Sequence, residues 1–251
     1  MTNIITFDLD GTLMQNPFVK FVFPAIEKEL QDVLNDQRPI ISEIVAMHND
    51  YMKKGETSKA YDWDLIVTEF LIKSNCVHTL SVEQLVKKHA APPDSYLLEA
   101  GSISALMTFR QKGYRLVALT NGFYKYQFPV MERLGLAPLF DQIVTPEEAG
   151  CAKPDPQILQ AVYAHGTIVG HVGDRIDHDV VMANQEEIPS IWIRHTFPEW
   201  IKRATMSERI QLAQPLIKEK YEKETGTQTI SEECQPNYIV SSIEELHRIF
   251  T

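Results

Sequence analysis

The stretch NIITFDLDGTL, residues 3–13, decides the fold of this chain of 251 residues. Its apolar run leads into two aspartates, Asp8 and Asp10, which stand one residue apart just before Gly11. The run predicts a buried strand, because near-continuous apolar character is typical of strands that are covered on both faces. Two carboxylates at the end of such a strand repel each other, so their placement calls for a chemical reason.

Five further runs of the same kind follow, and longer segments of helical period separate them. In SISALMTFRQKG (102–113) and YQFPVMERLGL (126–136), apolar residues recur at spacings of three and four. Alternating strands and helices predict an α/β fold whose core is a doubly wound, Rossmann-like parallel sheet. The five runs are RLVALTN (115–121), QIVTP (142–146), IVGHVGD (168–174), SIWIRH (190–195) and NYIVSS (237–242).

The segment between the first and second runs breaks this alternation. We find no buried strand in residues 15–98 and therefore predict an α-helical cap domain there, inserted into an α/β core of residues 1–14 and 99–251. The helical stretches of the cap are FPAIEKELQDVLND (23–36), ISEIVAMHNDYMKK (41–54), SKAYDWDLIVTEFLIK (58–73) and SVEQLVKKHA (81–90).

A second insertion, residues 196–236, is rich in charge and contains the helical stretch PLIKEKYEKE (215–224). Three arrangements fit its composition: a lobe beside the cap, a dimer contact or a solvated hairpin.

Composition excludes several classes of partner. A formal net charge of −10 argues against binding of a nucleic-acid polymer, which needs an excess of Lys and Arg. No apolar stretch approaches the roughly 18 to 20 residues of a membrane span. The N-terminus lacks a basic, apolar leader, and three cysteines lie far apart without a CxxC motif. We therefore predict a cytoplasmic protein with no membrane partner.

Polar side chains follow four of the predicted strands. Ligands of open parallel sheets bind at the carboxyl ends of the strands, so we expect these side chains to meet at one edge. Together they can hold a divalent cation and a phosphoryl group. They are Asp8 and Asp10 after the first strand, Thr120 and Asn121 after the second, Lys153 after the third, and Asp174, Asp177 and Asp179 after the fourth.

Each of these signals also has a simpler interpretation. Asp8 and Asp10 could form a turn by bonding nearby backbone amides. A calcium loop is excluded, because Gly11 at its sixth position would place Thr6 and Pro17 where acidic ligands are required. Lys153 alone could be a surface lysine. The ordered combination on successive strands favours a functional site.

The motifs DLDGT (8–12), TNG (120–122), KPDP (153–156) and GD (173–174), the last followed by Asp179, resemble the four motifs of the haloacid dehalogenase superfamily. The resemblance implies hydrolases with a helical cap between the first and second motifs. Two departures occur in the fourth motif: Arg175 replaces a small hydroxyl residue, and VMAN (181–184) replaces the common Gly-Ala.

The resemblance also implies a phosphatase mechanism. Asp8 is the expected nucleophile, forming an aspartyl-phosphate, and Asp10 the general acid and base. Mg²⁺ would be held by the side chains of Asp8 and Asp174 and by the main-chain carbonyl of Asp10. By the same resemblance, Thr120 donates to the phosphoryl oxygens and Lys153 neutralises their charge. Asp179, or alternatively Asp177, would orient Lys153 or a metal-bound water.

Asp10 favours a phosphatase over a dehalogenase, because a departing halide needs no proton. A phosphomutase of the same fold and a non-catalytic phosphate-binding module are the alternatives. The expected partner is a small phosphorylated metabolite: phosphoserine, phosphoglycolate, a nucleoside monophosphate or a sugar phosphate. Expected substrate contacts are Thr120, Asn121 and Lys153, with Phe18, Lys20 and Phe21 just after the first motif, and Phe23, Tyr51, Tyr61 and Trp63 as further cap candidates.

Overall fold

The computed structural model describes residues 2–251, and its strands follow the six predicted apolar runs. Two further strands of two residues each bracket the predicted cap. In chain order the strands are β1 (Asn3–Phe7), β2 (Met14–Gln15), β3 (Tyr96–Leu97), β4 (Arg115–Leu119), β5 (Gln142–Val144), β6 (Thr167–Gly173), β7 (Ser190–Ile193) and β8 (Tyr238–Val240).

Six of these strands form one parallel sheet in the order β5-β4-β1-β6-β7-β8. The chain runs outward from β1 through β4 to β5 and then returns to β6 on the other side of β1. This reversal makes the gap between β1 and β6 the topological switch point, where α/β sheets bind ligands. The predicted doubly wound parallel sheet is therefore confirmed.

The short strands β2 and β3 pair antiparallel, with Met14 opposite Leu97. They join the two ends of the segment that separates β1 from β4. The sequence did not reveal them, because two residues are too few to show a period.

Helices fill the segments between strands. No helix within residues 2–251 is long and apolar enough to cross a membrane. The stretch 58–73 contains two helices, because the Asp62 side chain accepts a hydrogen bond from the Leu65 amide and starts a new helix. The helices are α1 (Phe23–Leu34), α2 (Ile40–Lys53), α3 (Thr57–Ala60), α4 (Trp63–Lys73), α5 (Val82–Lys88), α6 (Ser102–Gln111), α7 (Tyr124–Arg133), α8 (Pro146–Ala149), α9 (Gln160–Tyr163), α10 (Val181–Gln185), α11 (Glu199–Lys202), α12 (Met206–Leu212) and α13 (Gln214–Thr225).

The second insertion carries α11, α12 and α13, and it packs against the β7–β8 side of the core. Ile217 of α13 is fully buried in a cluster with Trp192, Phe197 and Ile239. Burial of such side chains contributes roughly 1.5–3 kcal/mol each. The segment is therefore part of the packed core, which excludes the solvated hairpin among the three alternatives.

Candidate active site

Asp8 directly follows β1 and is buried at the switch point. Its Oδ1 accepts a hydrogen bond from Lys153 Nζ at 2.7 Å, and its Oδ2 accepts one from Thr12 Oγ1 at 3.0 Å. Burial raises the pKa of Asp8, and the charge of Lys153 opposes that rise. These contacts hold the Asp8 carboxylate in one orientation.

The chain turns back at Gly11, whose φ of +84° lies in the left-handed region that favours glycine. The Gly11 amide donates to the Met14 carbonyl at 2.9 Å. A Cβ on Gly11 would stand 2.8 Å from Cγ of Asp174. Glycine is therefore needed here both for the turn and for the approach of Asp174.

Asp10 lies beside Asp8 and is held by a residue that the sequence did not predict. Its Oδ2 accepts a hydrogen bond from Gln127 Nε2 at 2.6 Å, whereas its buried Oδ1 has no hydrogen-bond partner. Burial and the charge of Asp8 raise the pKa of Asp10 to about 7. A carboxyl with such a pKa can donate a proton near neutral pH.

Lys153 contacts carboxylates on both sides of the switch point, one after β1 and one after β6. Its buried ammonium donates to Asp8 Oδ1 and to Asp179 Oδ1, at 2.7 Å in both cases. Burial alone would lower the pKa of Lys153, but the charges of Asp179 and Asp8 outweigh it and raise that pKa. The side chain therefore remains a cation in contact with both carboxylates.

Asp179 is the most fully bonded acid of the site. Besides Lys153, its Oδ1 lies 3.1 Å from Nε2 of His171, and its Oδ2 accepts from the Arg175 amide at 3.0 Å. Burial opposes its ionisation, yet Lys153 and His171 lower the pKa of Asp179 below its usual range. A Cβ on Gly173 would stand 2.1 Å from Cγ of Asp179, so only glycine leaves room for this carboxylate.

The two acids that the sequence left as alternatives have different partners. Asp179 contacts Lys153, whereas both oxygens of Asp177 pair with the Arg175 guanidinium, at 2.9 and 2.7 Å. Asp177 also lies on the wall of the cavity described below. Of the two acids, Asp179 is therefore the one in contact with Lys153.

Thr120 and Asn121 follow β4, as the sequence predicted. Thr120 Oγ1 accepts a hydrogen bond from the Gly122 amide at 3.1 Å. Asn121 binds the backbone of Lys153 twice, accepting from its amide at 2.8 Å and donating to its carbonyl at 2.9 Å. Asn121 also donates to the hydroxyl of Tyr61 at 3.0 Å. It thus fixes the segment that carries Lys153 while lining the same cavity.

Three carboxylates, those of Asp8, Asp174 and Asp179, bring oxygen atoms within 4.8 Å of one another. Burial and the charge of Asp8 raise the pKa of Asp174 to about 6. Oxygen donors of this kind suit Mg²⁺, so the donor set fits a divalent cation. The cluster includes Asp179, whereas the side chain of Asp10 points to Gln127 instead.

Asp8, Asp10, Thr120, Asn121 and Lys153 line a cavity of about 560 Å³, which also reaches Phe18, whereas Asp174 and Asp179 are not among its lining residues. At its outer end the ring of Phe18 lies 5.5 Å from that of Phe23 and 6.1 Å from that of Trp63. Lys20 and Phe21 are not among the lining residues: Lys20 is exposed, and Phe21 stacks on His89 at 5.3 Å. Of the other cap candidates, Phe23, Tyr61 and Trp63 line the cavity, whereas Tyr51 does not.

Several polar residues of the site went unpredicted. Gln127 lies on α7, just outside the second motif, and His171 shows no recognisable metal or catalytic spacing. His178 lines the cavity, where burial and the charge of Arg175 lower its pKa to about 4 and so keep it neutral. Their only signal in the sequence is nearness to the second and fourth motifs.

Comparison with known proteins gives concordant matches. The family described as "haloacid dehalogenase-like hydrolase" matches residues 2–185. A "Glyceraldehyde 3-phosphate phosphatase" of Methanocaldococcus jannaschii is 27% identical over 200 residues, which cover 72% of this chain and 80% of that one. A protein with the same name from Methanopyrus kandleri is 35% identical, but the match spans only 37% of this chain and 41% of the relative.

Similarity extends over most of the chain in two further cases. "Probable phosphatase IndB" of Dickeya dadantii is 25% identical, covering 87% of this chain and 96% of that protein. The solved structure of a "HAD phosphatase from Thermococcus onnurineus" superposes with a TM-score of 0.68 at 21% identity, covering 98% of this chain and 97% of that one. At this identity the structural likeness concerns the fold alone.

Proposed function

This chain belongs to the haloacid dehalogenase-like hydrolases, and we propose that it is a Mg²⁺-dependent phosphatase that hydrolyses a small phosphomonoester through an aspartyl-phosphate on Asp8. The observation that carries the proposal is the pair of carboxylates at one cavity, buried Asp8 and partly buried Asp10. One is ion-paired with Lys153, and the other has a pKa of about 7. Such a pair combines a nucleophile with an acid, as two-step phosphoester hydrolysis requires.

In the first step an oxygen of Asp8 attacks phosphorus, and the bond between phosphorus and the leaving oxygen breaks. Asp10 gives its proton to that oxygen, so the alcohol departs neutral. In the second step a water molecule attacks the same phosphorus and gives its proton to Asp10. The bond to Asp8 then breaks, inorganic phosphate forms, and both carboxyl groups return to their starting states.

The ammonium of Lys153 balances charge on the phosphoryl group and the hydroxyl of Thr120 donates to its oxygens; both residues line the cavity. Asp179 and His171 keep the ammonium of Lys153 in place. When bound, Mg²⁺ would be held by the side chains of Asp8 and Asp174 and the main-chain carbonyl of Asp10, and it would supply further positive charge. Asp179 lies within the same acidic cluster.

Asp10 separates a phosphatase from a dehalogenase of the same fold. Halide leaves without a proton, whereas the alkoxide of a phosphomonoester needs one. A second, partly buried carboxyl that Gln127 holds in the cavity therefore favours phosphoester chemistry.

We propose that residues 15–98 form a cap domain and that this cap selects the substrate. Its Phe18, Phe23 and Trp63 line the outer end of the cavity. Candidate substrates are phosphoserine, phosphoglycolate, nucleoside monophosphates and sugar phosphates. The names of the archaeal relatives add glyceraldehyde 3-phosphate to the last class. The cytoplasm remains our predicted compartment.

The decisive experiment measures phosphate release from a panel of these compounds, with Mg²⁺ or with EDTA, for wild type and Asp8→Asn. We expect release that needs both Mg²⁺ and Asp8. A 100-fold preference for one compound, about 2.7 kcal/mol, would identify a dedicated substrate. Transfer of the phosphoryl group to another hydroxyl without free phosphate would indicate a phosphomutase, and release that is independent of Asp8 would contradict the mechanism.

A further inference from the structure

Helix α13 of the second insertion reaches the acidic cluster. Lys220 Nζ lies 3.1 Å from Asp174 Oδ2 and 3.1 Å from Glu224 Oε1, one turn further along the same helix. The Lys220 side chain is 28% exposed, whereas that of Glu224 is only 6% exposed. The second insertion lies outside every motif of the sequence, yet it places a cation beside Asp174, the residue that directly follows β6.

The position of Lys220 is set by contacts that do not involve its own charge. Glu224 Oε2 accepts hydrogen bonds from the amides of Ile176 and Asp177, at 3.0 and 3.2 Å. Trp192, which packs in one cluster with Ile217 of α13, donates its indole N–H to the Asp174 carbonyl at 2.9 Å. Helix α13 is therefore anchored to the loop after β6 directly through Glu224 and indirectly through its packing on Trp192.

Two lysines form ion pairs with the three carboxylates of the acidic cluster. Lys153 contacts Asp8 and Asp179 but forms no ion pair with Asp174. Among residues 2–251, Lys220 is the one cation that forms an ion pair with Asp174. Three carboxylates this close repel one another strongly unless cations lie between them.

Lys220 lies outside the proposed substrate cavity. It lines a second cavity, of about 330 Å³, together with Gly11, Asp174 and Lys223. It is not among the residues that line the cavity containing Asp10 and Thr120. Glu224, the other partner of Lys220, does line that cavity, so Lys220 contacts the acidic cluster directly but reaches the proposed substrate site only through Glu224.

We infer that Lys220 is the counter-ion of Asp174 when no metal is bound, and that it is a positioning residue which weakens Mg²⁺ binding while stabilising the metal-free protein. The inference rests on the proposed Mg²⁺-dependent function. An ammonium in contact with a metal ligand competes with a divalent cation for the same negative charge. Removing the ammonium therefore favours Mg²⁺ and disfavours the metal-free state.

The test compares Lys220→Met with wild type in two measurements that do not depend on turnover: calorimetric Mg²⁺ titration and thermal unfolding in EDTA or Mg²⁺. Lys220→Met should lower the Kd for Mg²⁺ by about tenfold. It should also lower Tm in EDTA and increase the gain in Tm that Mg²⁺ produces. Lys220→Arg should restore values near those of wild type, because it keeps the charge.

Lys218→Met is the matched control, because Lys218 is an exposed lysine of the same helix outside both cavities. It should leave the Mg²⁺ titration unchanged. Equal or weaker Mg²⁺ binding by Lys220→Met overturns the inference while leaving the proposed function intact. A wild-type protein that neither binds Mg²⁺ nor releases phosphate overturns both. If Lys220→Met does not fold, Lys220→Gln takes its place in the same measurements.

Discussion

The two ends of the active-site cavity are built on different physical principles. At the inner end, Asp8, Lys153 and Asp179 are buried, and each makes at least two directional polar contacts. At the outer end, Phe18 and Trp63 form ring contacts at 5 to 6 Å with few polar partners. Directional contacts specify the position of an atom, whereas ring contacts mainly contribute area.

In the proposed enzyme, this difference gives the two ends of the cavity different tasks. The inner groups hold one another in place through these contacts, and groups fixed in this way stabilise a transition state electrostatically. The outer rings can accommodate several leaving groups, because apolar contacts discriminate by only about 1–3 kcal/mol. Under the proposed function, the inner end therefore sets the reaction class and the outer end the choice of substrate.

The largest effect should come from Asp8→Asn at the inner end. Replacing the nucleophile with an amide of nearly equal volume should reduce phosphate release at least about 1,000-fold for every substrate, with little change in fold. Steady-state kinetics across the panel, with circular dichroism as the folding control, measures this. Activity within tenfold of wild type would refute the covalent mechanism.

Asp10→Asn should produce a smaller and selective loss. Hydrolysis of an alkyl phosphate should fall about 100-fold or more, because its leaving group needs a proton. An activated aryl phosphate, whose leaving group departs as a stable anion, should be affected much less. Comparing kcat for the two substrates tests the role of Asp10, and equal losses would remove it as the acid.

Gly173→Ala tests how closely the inner end is packed. The added Cβ would displace the Asp179 carboxylate and with it Lys153, so we expect destabilisation of about 1–3 kcal/mol and a loss of activity of about 100-fold. Gly101→Ala is the matched control, because a Cβ at Gly101 meets nothing within 4 Å. Urea unfolding and kcat/KM should separate the two variants. A tolerant Gly173→Ala would mean that the inner end is not rigid.

The smallest effect should come from the outer end. Phe18→Ala removes one wall of the cavity, and it should raise KM by about tenfold, by different factors for different substrates, while kcat changes little. Lys20→Ala, two residues further along but outside the cavity, should leave both constants unchanged. If Phe18→Ala lowers kcat equally for every substrate, the two ends do not act separately.

Much of the fold and of the site could be predicted from local patterns. Each of the six predicted runs contains one strand, and Asp8, Thr120, Lys153 and Asp174 meet at the sheet edge where parallel strands bring their carboxyl ends together. Gln127 could not be predicted, because its contact with Asp10 joins residues 117 positions apart. Lys20 and Phe21 point away from the cavity, because the π-helical turn Phe18–Val22 directs only some of its side chains inward.

The sequence by itself determined the parallel sheet and the order in which polar residues follow its strands. It also determined that two carboxylates, those of Asp8 and Asp10, stand close together after β1. These follow from hydrophobic period and from turn residues, which act over a few positions. Only the tertiary structure decided that Asp179 and not Asp177 contacts Lys153, and that Lys220 pairs with Asp174 across 46 positions. Ion pairs depend on distance in space, and that distance exists only once the helices and the sheet have packed.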